Sequence, residues 1–301
     1  AVLRTSSGKI RRTATRSLYE RGRIGKPAGA VWVQVFRLVS AGILPQLRRA
    51  ARAARAWAYA GWAWFAFGLL ALPAWIITWL PLPRAAIWRC ERNLARAAGM
   101  VTGTRVEFSG FEHLPPAGEP CVIVSNHQSY LDGIVLLALL PRPPNFLIKS
   151  ELKRSPALGR PLARLGALFV ERFDAAAGID GMREAANSLE VGAALTVFAE
   201  GTFKRMPGLL PFHMGAFTVA AEGGVAVVPV AIRGTRSILR ARSWFLRRGC
   251  IAVAVGAPIV PPSGGPTWSR SLTLRDAARA YILEHCGEPD LAHESNVVDD
   301  R

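Results

Sequence analysis

Residues 125–133 read SNHQSYLDG and place His127 five positions before Asp132. On one continuous helix these two side chains would stand about 140° apart and could not meet. If His127 lies in the turn after a strand and Asp132 in the first turn of the next helix, the carboxylate folds back towards the imidazole. A carboxylate on one ring nitrogen fixes the tautomer and leaves the other nitrogen free to take a proton. That pair is an oriented general base. The same residues admit a second reading, because Ser129-x-x-Asp132 ahead of GIVLLALL has the pattern of a capping box. Ser129 is then the N-cap, and Asp132 sits in the first turn, where the helix dipole favours an anion. Spacing alone leaves both readings open, and they are compatible.

The motifs that are missing narrow the chemistry. The chain has no G-x-S-x-G elbow, no cysteine in a reactive setting and no G-x-x-x-x-G-K-[ST] loop, so neither a covalent enzyme intermediate nor a nucleotide-phosphate cradle is indicated. Its four cysteines, Cys90, Cys121, Cys250 and Cys286, form no C-x-x-C pair, which argues against a zinc site and against a disulfide scaffold. No metal and no bound cofactor are expected. A histidine base without a protein nucleophile suits deprotonation of a substrate hydroxyl that then attacks an activated carbonyl. Cationic side chains nearby would suit a phosphorylated substrate.

These groups need a scaffold. RVEFSG (105–110), CVIVS (121–125), FLIKS (146–150), ALFVER (167–172), ALTVFAE (194–200), VAVVPVAI (225–232) and CIAVAVG (250–256) read as strands. Ile179, Met182, Ala186 and Leu189 recur at helical spacing, residues 215–222 form a second helical stretch, and a last helix is expected from about 271 to 286. Strands apolar on both faces, alternating with helices, predict an α/β fold with a mostly parallel sheet flanked by helices. Functional groups in such sheets gather at the carboxyl ends of strands. Asn126 and His127 follow CVIVS, Arg172 follows ALFVE and Glu200 follows ALTVFA, so three strand ends are expected to converge.

The net charge of +17 is concentrated at the front, where residues 1–55 carry thirteen Lys or Arg and a single acid, Glu20. Residues 56–83 then hold 28 positions without a charge, enough for a membrane helix. Basic clusters beside a long apolar run point to anionic lipid head groups rather than nucleic acid. Pro73 is expected to break the run, giving two short helices dipping into one leaflet or one kinked span. Arg48, Arg49, Arg52 and Arg55 before the run, and Arg84, Arg89, Arg92 and Arg96 after it, predict cationic faces on the membrane surface. A helical membrane-anchoring element ahead of the catalytic sheet, at the cytoplasmic face of a membrane (the inner membrane if bacterial), is the resulting expectation.

Four stretches together resemble the blocks of the glycerolipid acyltransferase family, of the 1-acylglycerol-3-phosphate acyltransferase type. They are NHQSYLD (126–132), GALFVER (166–172), FAEGTFKRMPGLLPFHMGAF (198–217) and VPVAIRGT (228–235), and the resemblance runs over roughly residues 60–260. It implies that His127 activates the acceptor hydroxyl and that Asp132 supports it. It implies attack on the thioester of acyl-CoA or acyl carrier protein, without an acyl-enzyme, and a lysophospholipid acceptor, 1-acylglycerol-3-phosphate, giving phosphatidate. Arg172 is then expected to hold the acceptor's phosphate, and Glu200, Gly201 and Thr202 to shape the acceptor site. Pro229 falls in the fourth block, linked to packing and donor binding. Two features depart from the third block: Ala199 replaces its proline and Phe203 its arginine, while His213 stands where the family commonly has lysine. The missing arginine leaves room for another lysolipid or an aminolipid acceptor, and a non-catalytic membrane-binding module is the reading from a different class.

At the other end, LRTSSGKIRRTATRSLYERGRIG (3–25) resembles the C-terminal end of adenylate-forming acyl-CoA or acyl-carrier ligases, with Lys9 at the position of their adenylate-contacting lysine. That implies a longer protein in which an acyl-activating ligase precedes an acyltransferase. The domain organisation expected is a ligase remnant over 1–26, membrane-associated helices over 27–100, a catalytic domain over 101–260, and a C-terminal helix and tail over 261–301.

Overall fold

The computed structural model describes residues 12–20, 31–170, 175–190 and 192–292. Arg172 and Lys9 lie outside the described residues, as does most of the ligase-like stretch. The chain divides into two compact units, Ala1–Trp57 and Ala58–Arg301.

In the first unit, helix α1 (Arg12–Glu20) carries an exposed Arg16–Glu20 ion pair at i, i+4 spacing. Helix α2 (Val31–Ile77) begins in this unit, and Arg48, Arg49, Arg52 and Arg55 along it are all exposed.

Helix α2 is continuous, so of the two forms expected around Pro73 the one with two short helices does not occur, and a single long helix does. Proline removes one i→i−4 bond, but Pro73 stands close enough to the helix end that the alanine- and leucine-rich turns before it hold. The stretch Gly42–Ile77 is long and apolar enough to cross a membrane. Within the second unit the helix is two-faced. Tyr59, Ala60, Ala63 and Ala66 are buried, whereas Trp62, Phe65, Leu69, Leu72 and Ile76 are exposed at the spacing of a single helical stripe.

The chain reverses through Pro81 and Pro83 into α3 (Arg84–Thr102). Tyr59 and Trp62 donate to the carbonyls of Thr102 and Val101, each at 3.2 Å, and so satisfy acceptors that a helix end leaves open. The cationic face expected on α3 is mostly turned to other use. Arg84 donates to the carbonyls of Leu165 and Pro144 and to Asn145, and burial pulls its pKa down. Arg92 and Arg96 both donate to the carbonyl of Ala138, in the last turn of the helix that follows the His127 loop, where the dipole favours cations.

The sheet contains β1 (Arg105–Ser109), β2 (Cys121–Ser125), β3 (Pro144–Lys149), β4 (Leu168–Val170), β5 (Ala194–Phe198), β6 (Ala226–Arg233) and β7 (Cys250–Val255). Its order is β1-β7-β6-β2-β5-β3-β4. Every neighbouring pair is parallel except β6 with β7. Helices α4 (Asp132–Leu139), α5 (Gly159–Leu165), α6 (Ala175–Glu190), α7 (Gly215–Glu222), α8 (Thr235–Ile238) and α9 (Thr267–Cys286) connect and cover it. The last helix starts four residues before the expected position.

Strand β2 lies between β6 and β5 and is buried at every residue. Val122 and Val124 enter a core with Ala185 of α6, Phe217 of α7 and Leu274 and Ile282 of α9. Cys121 and Ile123 enter the opposite core with Val135 and Leu136 of α4 and with Tyr59 and Ala63 of α2. Each fully buried aliphatic side chain contributes about 1.5–3 kcal/mol. That two-sided packing fixes the height of β2, and hence the starting point of the loop that carries His127.

Candidate active site

His127 leaves the end of β2 and Asp132 opens α4. The His127 Nδ1–H donates to Asp132 Oδ2 at 2.8 Å. The Asp132 side chain is fully buried, and that of His127 is 19% exposed. Oδ2 also accepts the backbone N–H of Gln128 at 2.6 Å and of Ser129 at 2.8 Å. The aspartate is thus tied to the loop on its own N-terminal side.

The structure does not form the capping box that the Ser129-x-x-Asp132 pattern predicts. Ser129 is not the N-cap: the helix starts at Asp132 and has no side-chain cap. Ser129 Oγ donates instead to the carbonyl of Leu239 at 2.7 Å. The loop folds back over the first turn of α4, so its own N–H groups, not those of the helix, reach the Asp132 carboxylate.

Asn126 pins this loop to the neighbouring strand. Its Nδ2 donates to the carbonyl of Ile232 at 2.8 Å, and its Oδ1 accepts the N–H of Ile232 at 2.7 Å. The reciprocal pair reproduces a sheet-like connection beyond the last residue of β2. Such reciprocal buried hydrogen bonds hold one loop conformation.

Glu200, just past β5, clamps the other side. Its Oε1 accepts the His127 backbone N–H at 2.6 Å, and its Oε2 accepts the Leu210 N–H at 2.8 Å. The side chain lies in a residue only 3% exposed, and burial pushes its pKa up to about 8. The two N–H groups and the charge of Arg236 pull the other way, and Asp132 adds to the rise. Gly201 follows with φ +68, its N–H donating to the carbonyl of Phe198 at 2.9 Å. This left-handed turn favours glycine, and it lets Glu200 point back into the protein. Thr202 is exposed and stands outside the His127–Asp132 hydrogen bonds.

Aromatic rings enclose the imidazole. Phe198 stacks on it at 4.3 Å and 16°, and Phe203 meets it at 4.3 Å and 61°. Phe203 in turn meets Tyr130 edge-on at 4.7 Å. The roles of Phe198 and Tyr130 were not evident from sequence. Phe198 reaches His127 because β2 and β5 pair with Ser125 opposite Phe198, a register that no local pattern states.

Of the expected site residues, the structure therefore brings together His127, Asp132 and Glu200, places Gly201 in the adjoining turn and leaves Thr202 at the surface. With Nδ1 bound to the carboxylate, the tautomer places the lone pair on Nε2, the arrangement of a general base. Beside α4, Tyr59, Ala63, Leu131, Ile134, Val135 and Ile251 help line an apolar cavity of roughly 600 Å³.

Residues 105–233 match the protein family described as Acyltransferase. A chloroplastic 1-acyl-sn-glycerol-3-phosphate acyltransferase, BAT2 of Brassica napus, is 35% identical over 181 residues, covering 60% of this chain and 50% of that protein. The human 1-acyl-sn-glycerol-3-phosphate acyltransferase alpha is 32% identical over 182 residues, covering 60% of this chain and 63% of that protein. The chain thus spans about half the length of the first of these relatives and under two thirds of the second. The crystal structure of the 1-acyl-sn-glycerophosphate acyltransferase PlsC from Thermotoga maritima shares the fold, with a TM-score of 0.59 at 20% identity over 76% of this chain and 97% of that one.

Proposed function

We propose, from the match of residues 105–233 to the Acyltransferase family, that the protein moves a fatty acyl group from an acyl thioester to the free hydroxyl of a lysophospholipid. The acceptor is 1-acylglycerol-3-phosphate and the product phosphatidate. The donor is acyl-CoA or acyl carrier protein. The observation that carries this reading is the 2.8 Å contact of His127 Nδ1 with the buried Asp132 at the mouth of β2.

In the reaction, His127 Nε2 takes the proton of the acceptor hydroxyl as its oxygen attacks the thioester carbonyl carbon. The tetrahedral intermediate collapses, the carbon–sulfur bond breaks, and the departing thiolate receives the proton from the imidazolium. An ester and a free thiol result, and the enzyme is unchanged. Asp132 holds the tautomer and stabilises the imidazolium. Glu200 holds the backbone of His127 in place, and Gly201 and Thr202 border the acceptor. Arg172, outside the described residues, is assigned to the acceptor's phosphate. The apolar cavity beside α4 suits the acyl chain, since it is lined by Leu131 and Ile134, on either side of Asp132 in the chain.

The exposed stripe of Trp62, Phe65, Leu69, Leu72 and Ile76 supports membrane association, because a large unpartnered apolar face marks a membrane or protein contact. We assign that membrane the cytoplasmic side as the side on which acyl thioesters are made available, and we place an acyl-activating ligase among the partners, ahead of this chain. The Phe203 ring against His127 favours a second reading of the acceptor alone, as a lysolipid or aminolipid other than lysophosphatidate. Labelled acyl-CoA and acyl carrier protein, each offered with a panel of lysolipids, test the proposal. Transfer to lysophosphatidate is expected, and transfer to no lysolipid overturns it.

A further inference from the structure

A second recess, of roughly 370 Å³, opens beyond Gln128 and is lined by Arg205, Arg233, Arg236, Arg240 and Glu288. Four guanidinium groups thus share one concavity with a single carboxylate. That carboxylate is already engaged: Glu288 pairs with Arg236 at 2.8 Å and accepts the N–H of Gly208. Arg236 also donates to the carbonyl of Lys204. Arg205, Arg233 and Arg240 have no acidic partner among the described residues, and all three are exposed at the recess.

The recess is built rather than incidental. Arg233 ends β6, and Gly234 turns the chain at φ +95 into α8. A side chain at Gly234 would lie 2.1 Å from the carbonyl oxygen of Cys250, so only glycine fits that turn. Gly287, the C-cap of α9, leaves the space in which Arg233 sits, since a Cβ there would lie 3.0 Å from Arg233 Nε. The recess also adjoins the catalytic loop. Gln128 follows His127 directly, its Nε2 donates to the carbonyl of Cys286, and its neighbour Arg236 acts on Glu200.

We propose that this recess binds a phosphate ester of one of the two substrates, with Arg233 and Arg240 as its main contacts. Guanidinium groups match phosphate oxygens in a forked, charge-assisted geometry, and unpaired arginines lining a concavity suit a dianion. The proposal rests on the acyl-transfer reading for the substrate's identity. The same chemistry has two sources: the phosphate of lysophosphatidate, a few bonds from its reacting hydroxyl, and the pyrophosphate that joins the pantetheine arm of acyl-CoA to its nucleotide.

The test compares the full chain with an Arg233→Ala/Arg240→Ala double variant, with Arg233→Lys/Arg240→Lys as a charge-keeping control, all in detergent micelles. Initial rates are read against lysophosphatidate at saturating acyl-CoA, and then the reverse. A KM increase of tenfold or more for one substrate, with kcat within about threefold and partial recovery in the lysine variant, supports the proposal. The substrate whose KM moves identifies the phosphate. Both KM values within twofold of wild type overturn it. Pyrophosphate binding, read as a salt-controlled rise in Tm, supplies an arm independent of catalysis. A rise in wild type that is absent in the alanine variant supports the recess even if no lysolipid is acylated, whereas equal rises in both overturn it. Should the alanine variant not fold, the lysine variant and Arg233→Gln/Arg240→Gln carry the same comparisons.

Discussion

Phe203 meets His127 edge-on with ring centroids 4.3 Å apart, at the position where resemblance to related enzymes leads one to expect an arginine. The side chain forms a wall against the imidazole, where an arginine would have brought a charge. Aromatic pairs of this geometry contribute about 0.5–1.5 kcal/mol beyond their buried area. Phe203→Ala is therefore expected to lower kcat by roughly 3- to 10-fold through a looser imidazole, measured by steady-state transfer assays. An unchanged kcat would show that Phe198 alone positions the ring.

His127→Ala is expected to remove transfer while leaving vesicle binding intact, and Asp132→Asn to lower kcat by about 10²–10⁴-fold, the range for a positioned acid–base group. The aspartate change also affects stability. Asp132 Oδ2 accepts two loop N–H groups besides the imidazole, and leaving a buried donor unpaired costs about 1–3 kcal/mol. Asp132→Ala should accordingly show a reduced Tm as well as lost activity, whereas His127→Ala should show mainly the latter. Substantial activity in His127→Ala would refute its role as the base.

Glu200 makes stability depend on pH in a defined direction. Burial raises its folded-state pKa to about 8, while the unfolded carboxyl ionises near 4.3. Below the unfolded value both states hold the proton. Between the two values only the folded state holds it, so the stability tied to that proton declines as pH rises, by up to about 1.4 kcal/mol per unit. By pH 8 it is lost. Denaturant titrations of wild type and Glu200→Gln from pH 4.5 to 8 should show the wild type losing ground to the variant across this window. A difference independent of pH would mean that the carboxyl is ionised throughout.

Two charges placed on the outward stripe of α2, Leu69→Asp and Leu72→Asp, should release the protein from anionic vesicles. Both residues are more than 60% exposed, so the fold has little reason to change. A charged residue among lipid tails costs roughly 2.5–3.5 kcal/mol. Co-sedimentation measures the partition and circular dichroism the fold; undiminished binding would move the membrane contact to another surface.

Much of the scaffold was legible in the chain. Short β-rich runs separated by helical patterns located the seven strands of the described sheet; the central β2, buried on both faces, is apolar almost throughout, whereas β1 at the sheet edge is mostly exposed. The placement of His127 after β2 and Glu200 after β5 followed from that alternation, since loops at the carboxyl ends of parallel strands face one crevice. Helix α2 was legible as apolar but not as unbroken, because whether Pro73 interrupts it depends on how the turns on either side are held.

By itself, then, the sequence determined the alternating α/β pattern, the long apolar stretch and the spacing that lets His127 and Asp132 pair across a strand-to-helix turn. Only the tertiary structure decided that the pair forms, that Asp132 caps its own loop, that Phe198 and Phe203 enclose the imidazole and that Arg84 bonds inward. Each of these joins residues through strand register or loop folding. Local pattern reports which residues favour a helix or strand, but not which backbone groups a fold brings within hydrogen-bonding reach.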